Sequence, residues 1–435
     1  MSSSELHRPW SLRALVAELD SGQTTTAAAL ECSRACRAAT EPRIRAWVGE
    51  AEIPARPPGA EPAGLLGGVP LGVKDIIDVA GFPTRCGSEL RAHAPPATED
   101  AAIVAAWRAA GALPTGKTVS TEFAYFAPGP TTNPAAPGHT PGGSSSGSAA
   151  AVAAGQVPLA LGSQTAGSVI RPAAYCGVAA MVLSQGLVPL TGVTGLSPSL
   201  DSHGFFAASV SDLALAWAAF SGQPDIGSET VRSPPRVLLW AAETIGTLEP
   251  AMTAALRELG QQLRAAGAQV EDELAAAPLA QLAIAHPVIM AYEAARERSA
   301  ELAQLDRLSE PLAKLLRSGA QLPLPHYRAA QETLAAGQRW IAEESARFDV
   351  VLGPAALGAA PRGLAATGDP ILSRPWQALG LPVVAVPGCT DDQGLPLGVQ
   401  VVGLRRDETE LLRHARWVEQ VLDGLRPTDL KKAVP

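Results

Sequence analysis

The run Pro141-Gly142-Gly143-Ser144-Ser145-Ser146-Gly147-Ser148 passes directly into Ala149-Ala150-Ala151-Val152-Ala153-Ala154-Gly155, and then into the apolar Val157–Leu161. No other feature of the chain constrains its fold as much. Glycine permits tight turns and close backbone approach, serine favours helix starts, and alanine propagates a helix. A loop, a helix and a buried strand are therefore predicted in immediate succession. A flexible Gly/Ser linker is the plainest alternative, but linkers seldom lead straight into a helix and an apolar strand. An anion nest at a helix N-terminus also fits the pattern, although the G-K-[ST] ending of a nucleotide loop is absent. Gly143 to Gly147 matches G-x-S-x-G, the nucleophile elbow of α/β-hydrolases. Pro128, Pro130, Pro134, Pro137 and Pro141 precede it, where that elbow needs a central strand. His203, His286, His326 and His414 could serve as its base, and each reads more simply as a surface or helix-face residue.

Short apolar runs alternate with helical patterns along most of the length. Leu12–Leu19 and Thr26–Arg37 read as amphipathic helices, and Val69–Ile77 as a buried strand between glycines. Asp100 is placed to N-cap a helix over Ala101–Ala110, with Gly111 at its C-cap. Further strands are predicted at Val157–Leu161, Val237–Trp240, Val350–Leu352, Val383–Val386 and Leu397–Val402. Helices are predicted at Ser211–Phe220, Pro250–Ala266, Leu279–Leu305, Tyr327–Ser345 and Glu408–Leu422. Ala355–Ser373, rich in Gly, Ala and Pro, reads as a surface loop. The alternation predicts an α/β protein with helices on both faces of a sheet.

Bulk properties exclude several function classes. With 42 acidic against 34 basic residues the net charge is −8, which argues against nucleic acid as a partner. Five scattered cysteines (Cys32, Cys36, Cys86, Cys176, Cys389) form no C-x-x-C pair, so neither a disulfide framework nor a zinc site is expected. No apolar run approaches the roughly 18 residues of a membrane span, and Met1–Trp10 has no apolar leader core. A cytoplasmic protein is the expectation.

Two further segments carry chemistry. Lys74 sits inside the apolar Gly68–Ile77. Pointing outward at a sheet edge it would pair with Asp75; pointing inward, burial would lower its pKa and let it act as a general base. No histidine offers itself convincingly as a base, so a serine–lysine arrangement is the natural alternative. In Gly162-Ser163-Gln164-Thr165-Ala166-Gly167-Ser168-Val169-Ile170-Arg171-Pro172-Ala173, small residues ahead of Ser168 allow successive N–H groups to converge as an oxyanion hole. An ordinary strand-to-loop turn is the alternative.

Taken together, these segments resemble the amidase signature family. The resemblance adds Pro172-Ala173-Ala174-Tyr175-Cys176-Gly177, Ser199-Leu200-Asp201-Ser202-His203-Gly204 and the C-terminal Gly394–Gly403. It covers roughly residues 65–205 and 375–420. It implies a mixed central β-sheet flanked by α-helices on both faces, with residues 1–435 as a single domain. Within that domain it implies N-terminal helices over 1–60, a signature core over 65–205, a variable helical part over 225–350, and a C-terminal sheet and helix over 375–425. It further implies a Ser–cisSer–Lys triad of Ser168 as nucleophile, Ser144 with a cis peptide as bridge, and Lys74 as base. Ser144 and Ser168 stand 24 residues apart, as the family motif leads one to expect. The backbone N–H groups of Thr165, Ala166, Gly167 and Ser168 would hold the oxyanion, Gly143 and Thr165 would touch substrate, and Ser145 and Ser146 would support the relay. The implied reaction is hydrolysis of a carbon–nitrogen amide bond in a small molecule through an acyl-enzyme, with no metal, no cofactor, and a homodimer among the assemblies expected.

Departures from the family pattern bear on substrate. Where most members read G-T-D-T-G-G-S-I-R, this chain has Gln164 for the Asp and Ala166 for a Gly, and Arg171 stands three residues after Ser168 rather than two. The S-V-I-R-P-A-A-Y-C-G run and Ala366-Thr367-Gly368-Asp369-Pro370 look most like malonamidase-type members, in which the arginine binds a substrate carboxylate. A purely structural arginine is the other reading. The expected substrate is a small carboxylate-bearing amide. An aryl-acylamide or carbamate hydrolase, and an ammonia-releasing subunit of an amidotransferase-type complex, are the alternatives.

Overall fold

In a computed structural model, which describes residues 6–49, 64–227, 233–272 and 277–425, the apolar runs fold into one ten-stranded sheet. The strands are β1 (Pro70–Lys74), β2 (Leu113–Thr118), β3 (Leu159–Gln164), β4 (Ala179–Val182), β5 (Ser202–Ala207), β6 (Arg236–Leu239), β7 (Gln269–Asp272), β8 (Val350–Pro354), β9 (Val383–Thr390) and β10 (Pro396–Gly403). Their order is β2-β1-β3-β5-β4-β9-β10-β8-β6-β7. β2, β1 and β3 run parallel, as do β8, β6 and β7, and the strands between these groups pair antiparallel.

Successive side chains of a strand point to opposite faces, and here both faces are covered. Leu159, Leu161, Met181, Phe205, Val384, Val399 and Val401 feed one core, shared with the helices Ala102–Ala109, Val210–Ser221 and Glu408–Leu425. Their neighbours Ala160, Ala180, Val182, Phe206, Val383, Ala385 and Val402 feed the other, shared with Ser146–Ala153, Ile170–Cys176 and Arg374–Leu379. This two-sided burial explains why the strands read as continuous apolar runs. The expected α/β fold with a mixed sheet between helical layers is the observed one. Among the described residues no helix is long and apolar enough to cross a membrane.

Several local expectations need correction. Asp100 does not cap its helix; Ala101 is the N-cap residue, and Asp100 instead accepts from the Ala80 N–H and pairs with Arg108. The stretch Leu279–Leu305 is not one helix but ends at Glu297 and restarts as Ser299–Leu302. Within residues 225–350, expected to be mainly helical, β6 and the start of β8 fall where strands were predicted, while β7 is an unpredicted strand. Ala355–Ser373 is no surface loop, because Ala355, Ala356, Ala359, Ala360, Thr367 and Leu372 are all buried. Of the N-terminal helices, Leu12–Asp20 and Thr26–Ile44 are present; residues 50–60 lie outside the described residues.

The glycine-serine loop leads into the helix Ser146–Ala153, every residue of which is buried. Ser145 stands at the N-cap without making a side-chain cap bond. Gly147 explains why this helix begins as it does: a Cβ there would lie 2.2 Å from Ala46 O and 2.3 Å from Val119 N. Both are backbone atoms, so the side chain cannot be accommodated by a rotamer change. Gly147→Ala should therefore lower stability by about 3 kcal/mol or more, read by thermal unfolding. Gly424→Ala, where a Cβ would meet nothing within 4 Å, should leave the unfolding temperature unchanged or slightly raised.

Candidate active site

The parallel pair β1 and β3 ends side by side, and the carboxyl ends of such strands are where α/β sheets place ligands. Lys74, the last residue of β1, is fully buried; because β1 lies between β2 and β3, the edge-strand reading with Asp75 as partner fails. Asp75 pairs with Lys117 instead, at 3.3 Å. Lys74 Nζ lies 2.7 Å from Ser144 Oγ, 2.9 Å from Ser163 Oγ and 3.2 Å from Ser163 O. Burial pulls its pKa down to about 7, against an upward pull from the buried Asp201 carboxylate.

The peptide bond between Gly143 and Ser144 is cis. Ser144, Thr165, Ala166, Gly167, Ser168 and Arg171 line one small cleft, so these expected site residues converge. Lys74 lies beneath it, joined through Ser144. Among the described residues the N–H groups of Ala166, Gly167 and Ser168 donate to no protein acceptor. Ser145 and Ser146 reach backbone: Ser145 N donates to Ser168 O at 3.3 Å, Ser145 Oγ to Ser163 O, and Ser146 Oγ to Val119 O. The Gly143 carbonyl does not face the cleft unpaired; it accepts from Arg171 Nη2 at 2.7 Å.

Arg171 is buried, and its Nε donates to Thr367 O at 2.7 Å. Its remaining nitrogen, Nη1, is buried without a partner. The mouth of the cleft is apolar, formed by Tyr125, Phe126, Leu196, Met290 and Pro370. Phe123, Ala124 and Phe126 all adopt positive φ, in the left-handed region that non-glycine residues seldom occupy.

Other residues shape the site that were not among the expected site residues. Ser163 supplies two of the Lys74 partners. Asp201, fully buried with its carboxyl pKa raised by that burial, accepts from Thr165 Oγ1 at 2.5 Å and from the Leu196 and Ser197 N–H groups. Gln164 Oε1 accepts from Val169 N and Ile170 N, the first donors of the helix Ile170–Cys176. Its Nε2 donates to Gln377 Oε1. Gln377 Nε2 in turn lies 3.2 Å from Gln164 O and 3.0 Å from Ser202 Oγ. The placement of Ser163 and Gln164 within the small-residue loop, and of Asp201 in Ser199–Gly204, was the available sequence clue. Thr367 fell within the Ala366–Pro370 run already noted, and Met290 carried no clue.

Residues 46–412 match the family model described as Amidase. The chain belongs to the amidase family. It is an amide-hydrolysing enzyme, with the sheet and flanking helices that this family shares. A glutamyl-tRNA(Gln) amidotransferase subunit from Treponema pallidum (strain Nichols) is 33% identical to it, over 81% of each chain. A solved structure described as an amidase is 30% identical, with a TM-score of 0.82, over 94% of this amidase and 99% of that chain. A chain from a vestigial protein complex, said to reveal the evolutionary origins of an s-triazine catabolic enzyme, is 28% identical with a TM-score of 0.84, over 96% and 99% of the two chains.

The role of Gln164 as a helix cap gives a test in this amidase. Gln164→Ala strands two buried N–H groups and should cost about 1–3 kcal/mol, measured by denaturant unfolding.

Proposed function

We propose that this amidase hydrolyses a small amide bearing a carboxylate, with Ser168 as nucleophile, Ser144 as bridge and Lys74 as base. The observation that carries the reading is the contact between Lys74 Nζ and Ser144 Oγ at 2.7 Å inside a buried pocket. A neutral amine there donates its two N–H groups to Ser163 O and Ser163 Oγ and turns its lone pair to the Ser144 hydroxyl. Lys74 takes the Ser144 proton as Ser144 takes that of Ser168, and Ser168 Oγ attacks the amide carbonyl. The oxyanion is stabilised by the N–H groups of the loop 165–168. The relay then returns a proton to the leaving ammonia or amine, and water hydrolyses the acyl-enzyme by the reverse route. The base must be neutral, and Lys74 loses its proton as pH rises through about 7. Activity should therefore climb with pH through that value, as a pH profile of kcat/KM would report.

The carboxylate preference rests on Arg171. Two of its nitrogens are held by backbone carbonyls, which fixes the guanidinium and leaves Nη1 unpaired at the cleft. A charged donor buried without a partner is costly, and a substrate carboxylate would supply the partner. This grip suits malonamate, the malonamidase-type expectation. It equally suits glutamine, which favours a second reading: the curated relatives are subunits of glutamyl-tRNA(Gln) amidotransferases. In that reading the chain releases ammonia within a complex.

Ammonia release should be measured from malonamate, glutamine, butyramide, an anilide and a carbamate. Lys74→Ala, Ser144→Ala and Ser168→Ala should each lower it by roughly 10³-fold or more; an active Ser168→Ala chain would overturn the mechanism. Arg171→Gln should raise KM for malonamate by about 10-fold or more while sparing butyramide. Glutamine turnover that appears only with added partner proteins would favour the complex.

A further inference from the structure

The proposed relay leaves one buried titratable group beside the oxyanion loop without a task. His286 is fully buried on the helix Ala277–Glu297, and its Nε2 lies 2.7 Å from the carbonyl oxygen of Thr165. A carbonyl can only accept, so Nε2 carries the ring proton and donates. Burial pulls the imidazole pKa down to about 4, which keeps the ring neutral. Nδ1 is buried without a partner, as befits the bare lone pair of that tautomer. A proton on Nδ1 would set the Nε2 lone pair against the Thr165 oxygen.

We propose that His286 is a positioning residue for the oxyanion loop: by donating to the Thr165 carbonyl, it aims the Ala166 N–H at the oxyanion formed when Ser168 attacks. The inference rests on the proposed nucleophile. A trans peptide is planar, with its C=O and N–H pointing in opposite directions. Holding the oxygen of Thr165 therefore orients the N–H of Ala166. Thr165 is gripped on a second side, where its Oγ1 donates to Asp201 Oδ1 at 2.5 Å, so the peptide plane cannot rotate about a single anchor. The N–H groups that follow, on Ala166, Gly167 and Ser168, are the ones without protein acceptors among the described residues. A donor bonded to the carbonyl end also polarises the peptide and strengthens its N–H.

The rest of the helix supports the assignment. Met290, one turn beyond His286, lines the cleft. Glu293, three residues further, accepts from Ser197 Oγ and from both N and Oγ of Ser199. Ser197 N in turn donates to Asp201 Oδ2. One helix face thus bears on both anchors of Thr165, directly through His286 and by way of the 197–201 turn through Glu293.

The test compares His286→Gln, His286→Asn and His286→Leu in the full chain, with malonamate, butyramide and glutamine as probes and thermal unfolding alongside. A glutamine amide nitrogen can stand where Nε2 stands, whereas an asparagine nitrogen reaches only the Nδ1 position. For the Leu and Asn variants kcat should fall by about 10- to 100-fold with little change in KM, and Gln should restore most of the loss. Gln and Asn variants of equal kcat, or a loss confined to KM, would overturn the positioning role. If the Leu variant fails to fold, the Gln–Asn comparison decides. Ser168→Ala separates this inference from the reading beneath it. An active Ser168→Ala chain removes the nucleophile, while an inactive one beside a fully active His286→Asn removes only the role of His286.

Discussion

An ammonium group buried in a protein must be both solvated and tolerated, and the burial of Lys74 sets the terms for the structure around it. The side chain has no exposure, and its nearest partners are two hydroxyls and one carbonyl. These neutral partners can satisfy the three N–H donors, but burial removes the bulk water that stabilises the charge, so the charged form is disfavoured and the amine approaches neutrality near pH 7. Supplying them requires three separate segments at one point: the end of β1, the end of β3 with Ser163, and the turn with Ser144. Parallel pairing of β1 with β3 brings the first two together. The buried helix Ser146–Ala153 packs the third against them.

The same economy of partners recurs around the cleft. Thr165 is held through its hydroxyl by Asp201 and through its carbonyl by His286. Gln164 closes the gap between the loop and the next helix by accepting from Val169 N and Ile170 N. Arg171 spends two nitrogens on the carbonyls of Gly143 and Thr367, which ties the 355–373 segment over the site. Each bond removes a rotation from a group that lines the cleft. What stays unpaired among the described residues is one Arg171 nitrogen and the backbone N–H groups of Ala166, Gly167 and Ser168, all on residues that line the cleft. An apolar mouth with Tyr125 and Phe126 covers them, so these donors act in a setting of low dielectric.

Much of this was legible in the chain because the chemistry depends on local patterns. The Gly-Ser loop, its alanine helix and the apolar strand appear in the predicted order, and the site residues from Ser144 to Arg171 converge. The strands that went unrecognised are the ones whose composition hides them. β2 contains Pro114 and Gly116 and survives because it lies at the sheet edge, where a missing N–H does no harm. β7, at the opposite edge, is short and exposed. β4 is Ala-rich, and in β5 Ser202-His203-Gly204 dilute the strand preference of Phe205 and Phe206. Ala355–Ser373 looked like a surface loop because small residues resemble a turn in sequence, whereas in space they permit close packing beside Arg171.

By itself, the sequence determined the residue types with reactive chemistry, the short spacing that sets Arg171 just beyond the loop of Thr165 to Ser168, and the two-sided apolar strands that demand a covered sheet. Only the tertiary structure decided which way Lys74 points, that Ser163 and Asp201 surround it, and that His286 from the distant helix Ala277–Glu297 reaches the Thr165 carbonyl. The reason is physical. Periodicity reports which face of an element is buried, because neighbours in the chain share that face. A hydrogen bond across 121 positions, such as that of His286 to Thr165, depends on how whole elements pack, and no local pattern encodes it.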